Sequence, residues 1–472
     1  GTALGKFLAA EHRCKWVNRR FIASRRRKMA YSDILYEARK WIRRVIGDSP
    51  DLPSIYAQCD FGDGASVGVH GNATNIGRKI LAENWSCTPA ALPYAISALW
   101  ENFQIRELLL KKGNFYAHDF DLFRDVIHRR VQSSLVSYNM ISFVPKTAKT
   151  DRSIAVEPLL NGFLQKGVDL ELRRFLVRVG IDLSDQSPNQ RMAREGSLGG
   201  FDPYATLDLS SASDSITIEL CREILPDSWF VFLNRIRSPS YLFDDRIVRY
   251  EKFTSMGNGF CFPLETLIFC SLCFGTASVL GQRPDFRVYG DDIIVRRNLA
   301  LLLVEVLKWC GFRLNLDKTF FFGPFRESCG ADWYEGQDVR PVYLDDPLSD
   351  LPKVFSFHNS FLRSERTRVF SEEIRPFLRS SVSPDYRFMR METASVIHRV
   401  AVSFRFGTLN LPPTVPYDTC FIVPQDIFMT SCHVRWCRDE QRWKRKELLS
   451  SPKRDSLRHP LQNAVEYLAI LR

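Results

Sequence analysis

The 472-residue sequence predicts an α+β chain built as more than one lobe. Three observations predict it. The length exceeds what one hydrophobic core usually organises, so two to four domains or one multi-lobed body is expected. The stretch "ATLDLSSASDSITIELCREIL" (Ala205 to Leu225) begins with the pattern of a strand and continues with that of a helix. The stretch "FRVYGDDIIV" (Phe286 to Val295) reads as strand, short turn and strand, and it follows a long apolar helix-like run.

The elements follow in order. Residues 1–47 read as helical and strongly basic, with Arg13, Lys15, Arg19, Arg20 and the run Arg25 to Lys28. That flank is either a solvated helix face or a contact with phosphates. Residues 59–78 are glycine-rich, but no Lys-Ser/Thr pair follows a glycine, so this is a flexible loop and not a Walker phosphate loop. Residues 88–140 alternate helical pieces with short polar loops. "VPKTAKTDRSIAVEP" (Val144 to Pro158) is a basic, polar, hairpin-like segment in which Lys146, Lys149 and Arg152 recur every three residues. Helical amphipathicity returns from Val168 to Val179. The serines after Asp208 are poor strand residues and good helix-start residues. "SMGNGFCFPLETLIFCSLCFG" (Ser255 to Gly275) is a glycine loop leading into an apolar helix. A helix over Leu299 to Gly311 and a strand and turn in "FRLNLDKTFFFGPF" come next. Beyond about Pro341 the pattern is mixed, with helices expected, and a basic run from Arg435 to Arg458 comes near the end.

The formal net charge is +11. It points to a polyanionic partner, nucleic acid ahead of a membrane surface, against the bland alternative of general solubility. The twelve cysteines have no framework spacing, which reads as a reducing compartment. Cys270 and Cys273 sit in an apolar run and read as small buried side chains, not a zinc site. Cys432, His433 and Cys437 are only slightly more suggestive of metal. No signal peptide is visible. The longest apolar candidate for a membrane span, Phe260 to Leu280, carries Glu265. The first residues, Gly1-Thr2-Ala3, lack a methionine, which reads as a trimmed chain or a fragment.

Two acidic centres carry the chemistry. Asp291 and Asp292 lie in a hairpin turn where Gly290 supplies conformational freedom. Taken alone, a Gly-Asp turn is common. Asp208 lies where a strand pattern gives way to a helical one. Its bland reading is a helix cap or a salt-bridged acid. Two strand-borne carboxylates side by side would hold a pair of Mg²⁺ ions, which take oxygen ligands from one or two carboxylates and substrate phosphates. That arrangement serves phosphoryl transfer.

These motifs, taken in order, resemble the palm and fingers motifs of viral RNA-dependent RNA polymerases. "VPKTAKTDRSIAVEP", "DLSSASDSI", "SMGNGFCFPLETLIF", "VYGDDII" and "KTFFFGPFRESCG" are closer still to the replicases of single-stranded RNA bacteriophages, the leviviruses. The resemblance runs from about Val144 to Tyr343. It continues weakly through "KFLAAE" (Lys6 to Glu11) and "IGDSP" (Ile46 to Pro50). Chains of that family are typically longer at the N-terminus.

The resemblance implies a right-hand fold. Fingers would take residues 1–200 and an insertion over 226–254, the palm 201–225 and 255–330, and the thumb with the C-terminal region 331–472. It implies that Asp208 and Asp291 bind two Mg²⁺ ions, with Mn²⁺ a possible substitute. Asp292 would be an accessory ligand or orient the others, and the Leu209 carbonyl could reach a metal. Asp214 would read the ribose 2′-hydroxyl of the incoming NTP, with Ser255 and Asn258. The spacing from Asp208 to Asp214 is one residue longer than in many animal-virus polymerases. Gly257 and Gly259 would let the backbone approach the template–product pair. Lys146, Lys149 and Arg152 would line the nucleotide channel, and the resemblance does not say which of them touches phosphate. Lys318 would be the general acid for pyrophosphate, or else a solvated lysine beside a strand. Arg326, in the loop gripping the nascent strand, would touch its backbone.

The implied reaction is template-directed RNA synthesis in the cytoplasm of an infected bacterium. A member of the family works with host elongation factors Tu and Ts and a ribosomal protein, so these are the implied partners beside RNA and NTPs. A reverse transcriptase is the nearest competing enzyme. It usually carries a non-glycine residue before the paired acids and an aromatic gate against ribose. A non-catalytic RNA-binding protein is disfavoured by the intact Asp208, Asp291 and Asp292.

Overall fold

A computed structural model describes residues 2–341, except positions 28, 63, 70–78, 81, 83, 104, 108–118 and 148–149, together with residues 435–437 and 442–444. The chain divides into two compact units, Gly1–Gln337 and Asp338–Arg472. In the second unit the described residues form an antiparallel strand pair, Arg435–Cys437 with Arg442–Lys444. The helices expected beyond Pro341 lie outside the described residues, as do Cys432 and His433.

The first unit is α+β, as its sequence pattern predicts. Its N-terminal basic segment forms α1 (Thr2–Ser24) and α2 (Ser32–Ile46). Helix α2 buries Ile34, Leu35, Ala38, Ile42 and Ile46, one apolar stripe at helical spacing, and ends at Gly47. The pieces expected between 88 and 140 include α4 (Leu92–Glu101) and α5 (Phe120–Val131), which follow a short α3 (Leu52–Ala57). The basic segment forms the expected hairpin, β1 (Tyr138–Thr147) with β2 (Thr150–Val156). Helices α6 (Leu159–Arg178) and α7 (Ser187–Ser197) follow.

The stretch around Asp208 becomes strand β3 (Tyr204–Leu207), a 3₁₀ turn at Ser213–Ser215, and helix α8 (Ile218–Ile224). Helix α9 (Asp227–Ile236) leads to strands β4 (Ser240–Phe243) and β5 (Arg246–Arg249). These two join the basic hairpin in a four-stranded sheet of order β2-β1-β4-β5, in which β1 and β4 are parallel. Helix α10 (Cys261–Val279) precedes the hairpin of β6 (Phe286–Tyr289) and β7 (Asp292–Arg296). With β3 this hairpin makes an antiparallel sheet of order β3-β7-β6. Helix α11 (Arg297–Cys310) and the hairpin of β8 (Phe325–Ser328) and β9 (Ala331–Tyr334) follow. Where a strand was expected at 312–325, the chain makes a 3₁₀ turn at Leu316–Lys318 between two single bridges to the β3 segment, at Leu209–Leu314 and Thr206–Phe320.

Helix α10 is apolar all round because it is surrounded. It packs against α2, α6, α11 and β6. By length and composition it is the one described helix that could cross a membrane, yet most of it is buried inside the protein. Its crossing with α2 is close: a Cβ added to Gly275 would collide with the Ile34 carbonyl oxygen. Cys270 and Cys273 are free, fully buried thiols in this helix, as the sequence reading expects.

Candidate active site

Strand register brings the acids together. Leu207 pairs with Ile293, so Asp208 leaves β3 at the end where β7 begins. Tyr289 pairs with Asp292, which leaves Gly290 and Asp291 as the turn between β6 and β7. Gly290 has φ +60°, the positive value that the first position of a type II′ turn demands. Its N–H donates to Thr266 Oγ1 of α10 at 3.0 Å, and a side chain at this position would collide with the Phe262 ring. The buried helix therefore seats the turn. Asp208, Asp291 and Asp292 all lie at one end of the small sheet, half-buried.

Each acid is held differently. Asp208 Oδ2 accepts from Asn315 Nδ2 at 2.6 Å, and the Asp208 carbonyl accepts from Asn315 N–H at 2.9 Å. Burial raises the Asp208 pKa above the usual carboxylate range; the Asn315 hydrogen bond opposes this, and the Asp291 charge adds to it. Asp292 Oδ1 accepts from Cys329 N–H at 3.3 Å and from Ser328 Oγ at 3.4 Å, at the β8–β9 turn. Burial first and Asp291 second push Asp292 up to about 6. The bridge at Leu209 is flanked by Asn315 N–H to Asp208 O and Ser210 N–H to Arg313 O (2.8 Å), so the Leu209 carbonyl points away from Leu314.

Lys318 is half-exposed and pairs with Glu327 at 2.9 Å. That hydrogen bond leads the rise of its pKa, with the charges of Asp208 and Asp292 contributing. Among the described residues, no group of three or more His, Cys, Asp or Glu side chains forms a ready-made metal cluster. The donor chemistry still fits Mg²⁺, which binds through one or two carboxylates plus substrate phosphates. Burial, with repulsion from Asp291 added, holds Asp208 and Asp292 above the usual carboxylate range, and a hard cation would favour their charged forms.

Asp214 sits on the 3₁₀ turn and accepts from the buried Lys252 Nζ at 2.7 Å. Ser255 and Asn258 are buried in the glycine loop, where Asn258 Oδ1 accepts from Phe260 N–H at 3.1 Å, at the start of α10. Gly257 has φ +107°, and an added Cβ would collide with the Ala155 carbonyl of β2. At Gly259 an added Cβ would lie 2.9 Å from Gln165 Cβ of α6. The close approach these glycines permit is thus to the protein's own backbone and α6. The loop rests on a polar layer in which buried Glu157 accepts from Asn139 (2.8 Å), Ser238 (2.7 Å) and Gln165 (3.1 Å).

Ala155 N–H donates to Met256 O at 2.7 Å and anchors the basic hairpin beside this loop. Arg152 is exposed on β2, opposite Val144 and about 10 Å along the strand from that anchor. Lys146 lies in β1 near the hairpin end, and Lys149 lies outside the described residues.

The expectation for Arg326 is corrected. Arg326 is fully buried, and its guanidinium donates to the carbonyls of Tyr204 (2.6 Å), Gly323 (2.8 Å) and Phe325 (2.6 Å). With those donors occupied inside the protein, it ties β8 to β3 and is not presented to an RNA strand. Asn315, Lys252 and Glu265, which the sequence does not single out as site residues, lie beside the site's acids. Glu265, in α10, is buried, and among the described residues its Oε1 has no hydrogen-bond partner. Burial, then Asp291 and Asp214, raise its pKa well above the usual range. Its signal in the sequence was a single charge inside the apolar run Phe260 to Leu280.

Comparison with known proteins adds independent findings. A family model described as RNA replicase, beta-chain, matches residues 1–369. The chain is 37% identical over 370 residues to the RNA-directed RNA polymerase subunit beta of Enterobacteria phage SP, covering 76% of this chain and 59% of that one. It is 39% identical over 351 residues to the namesake subunit of Escherichia virus Qbeta (72% and 54%). It is 41% identical over 317 residues to the RNA-directed RNA polymerase beta chain of Escherichia phage MS2 (66% and 54%). The chain therefore spans a little over half the length of these relatives. Among solved structures, a BmCPV RNA-dependent RNA polymerase at elongation state overlaps 75% of this chain and 33% of its own, at 11% identity and a TM-score of 0.43.

Proposed function

Because the chain belongs to the RNA replicase beta-chain family, we propose that it carries the polymerising centre of a phage RNA-directed RNA polymerase. The observation that carries this reading is the convergence of Asp208, Asp291 and Asp292 at one end of the β3-β7-β6 sheet. In the reaction the RNA 3′-oxygen forms a bond to the α-phosphorus of an NTP, and the bond to pyrophosphate breaks. Two Mg²⁺ ions bound by Asp208 and Asp291, with the Leu209 carbonyl and Asp292 in support, would favour ionisation of the 3′-hydroxyl and neutralise the triphosphate.

The chain's own residues set the stage. Asn315 fixes the orientation of Asp208, and the β8–β9 turn fixes Asp292. Asp214 reads the ribose 2′-hydroxyl, and Ser255 and Asn258 hold the loop beside it. Lys146, Lys149 and Arg152 meet the triphosphate. Lys318 delivers a proton to the departing pyrophosphate. In this reading residues 1–200 and 226–254 are fingers, 201–225 and 255–330 palm, and 331–472 thumb and C-terminal region. RNA template and product and NTPs are the ligands. The relatives' subunit names suit work in a complex, for which elongation factors Tu and Ts and a ribosomal protein, in the bacterial cytoplasm, are the proposed setting.

The test is extension of a primed RNA by the full chain, with NTPs and dNTPs in parallel. Asp291→Asn is expected to lower NTP incorporation at least about a hundredfold, on the scale of losing a principal charge-stabilising group. Unchanged incorporation by the variant, or a wild type that prefers dNTPs, overturns the reading.

A further inference from the structure

We propose that Lys252 sets ribose discrimination by holding Asp214, and that one face of helix α1 holds Lys252 in turn. The inference rests on the polymerase reading and on Asp214 as the reader of the 2′-hydroxyl. Lys252 has no exposed side-chain surface, and its Nζ lies 2.7 Å from Asp214 Oδ1 and 3.8 Å from Glu11 Oε1. It also sits 3.9 Å from the centroid of the Phe7 ring. A buried cation paired with carboxylates is seldom a net gain over apolar side chains of similar volume, so stability is a weak account of it. What such a pair supplies is a fixed place and orientation for each partner.

The geometry is that of a clamp. The segment carrying Lys252 runs antiparallel to the one carrying Asp214, through the bridge of Thr217 with Lys252 and the bond from Phe253 N–H to Ile216 O at 2.7 Å. Helix α1 closes over both with residues at helical spacing. Glu11 Oε2 accepts from Glu251 N–H (2.8 Å), and Cys14 Sγ donates to the Asp214 carbonyl (3.4 Å). Asn18 donates to Glu251 O (2.7 Å) and accepts from Glu219 N–H (3.0 Å). Phe7, Glu11, Cys14 and Asn18 share one face of the helix. Among the described residues Asp214 Oδ2 accepts no hydrogen bond, while Oδ1 is held by Lys252. A carboxylate held by one oxygen presents the other as an acceptor for a ligand hydroxyl. Loosening the clamp costs selection for that hydroxyl before it costs chemistry.

The experiment measures kcat/KM for ATP, dATP and 2′-fluoro-ATP on a primed RNA template, using the full chain. A 2′-fluorine cannot donate, so the wild type is expected to reject dATP and 2′-fluoro-ATP alike. Lys252→Met is expected to lower the ATP preference over both analogues at least about tenfold, the scale of one charge-assisted hydrogen bond. Most of the change is expected in KM for ATP. In an Asp214→Asn background the same substitution is expected to leave the ratio unchanged, which a general loosening of the fold would not do. Glu11→Gln is expected to shift the ratio in the same direction by about two- to threefold, the scale of a weaker charge contact, and it serves if Lys252→Met does not fold. An unchanged ratio in whichever variant folds, or an equal drop with and without Asp214, overturns the inference. A wild type inactive with every nucleotide overturns the polymerase reading itself.

Discussion

Gly257 offers the sharpest test of how the glycine loop is held. The perturbation is Gly257→Ala. Its φ of +107° is one that an L side chain adopts only with strain, and the added Cβ would collide with the Ala155 carbonyl oxygen. That oxygen is backbone in β2, whose neighbouring N–H donates to Met256 O, so it has little room to yield. Strain of about 1–2 kcal/mol and overpacking of about 1–3 kcal/mol sum to roughly 2–5 kcal/mol. Gly281→Ala is the control, because Gly281 also has positive φ (+64°) but, among the described residues, nothing within 4 Å of an added Cβ. It is expected to lose only the strain, about 1–2 kcal/mol. The assay is urea unfolding followed by tryptophan fluorescence, comparing the two midpoints. Equal losses would refute the reasoning, since they would mean that β2 and the loop separate freely and the collision has no cost.

Arg326→Ala is expected to destabilise the fold by about 2–3 kcal/mol by leaving carbonyls unpaired, while the salt dependence of RNA binding stays unchanged; a reduced salt slope in filter binding would return Arg326 to the RNA surface. Asn315→Ala is expected to lower kcat about tenfold or more through loss of a bond to a charged group, with RNA affinity unaltered, as single-turnover kinetics would show. Asp292 gives a pH signature. Its folded pKa of about 6 lies above its unfolded value, so the protonated acid contributes stability that is fully present below about pH 4 and lost as pH rises through 6. Without divalent cations, Asp292→Asn is therefore expected to be more stable than wild type at pH 8, by up to about 3 kcal/mol, with the gap closing by pH 4. A gap that is independent of pH would refute that account.

Much of the site was legible in the sequence because its signals are local. A strand that stops at Asp208, a glycine turn before Asp291 and Asp292, and a basic hairpin beginning near Val144 each depend on neighbours within a few residues. The buried fate of Cys270 and Cys273 was legible for the same reason, since an apolar run surrounds them. The sequence by itself thus determined most of the elements, the acids and the family resemblance. Tertiary structure alone decided which polar groups meet across long separations. Arg326 looks like an exposed loop cation until β8 folds against β3 and its donors find backbone carbonyls. Lys252 looks like an ordinary lysine until α1 buries it beside Asp214. Gly257 looks free to meet a ligand until β2 fills the space its missing Cβ leaves. Burial and long-range pairing set the charge state and orientation of such groups, and neither is encoded in a window of a few residues.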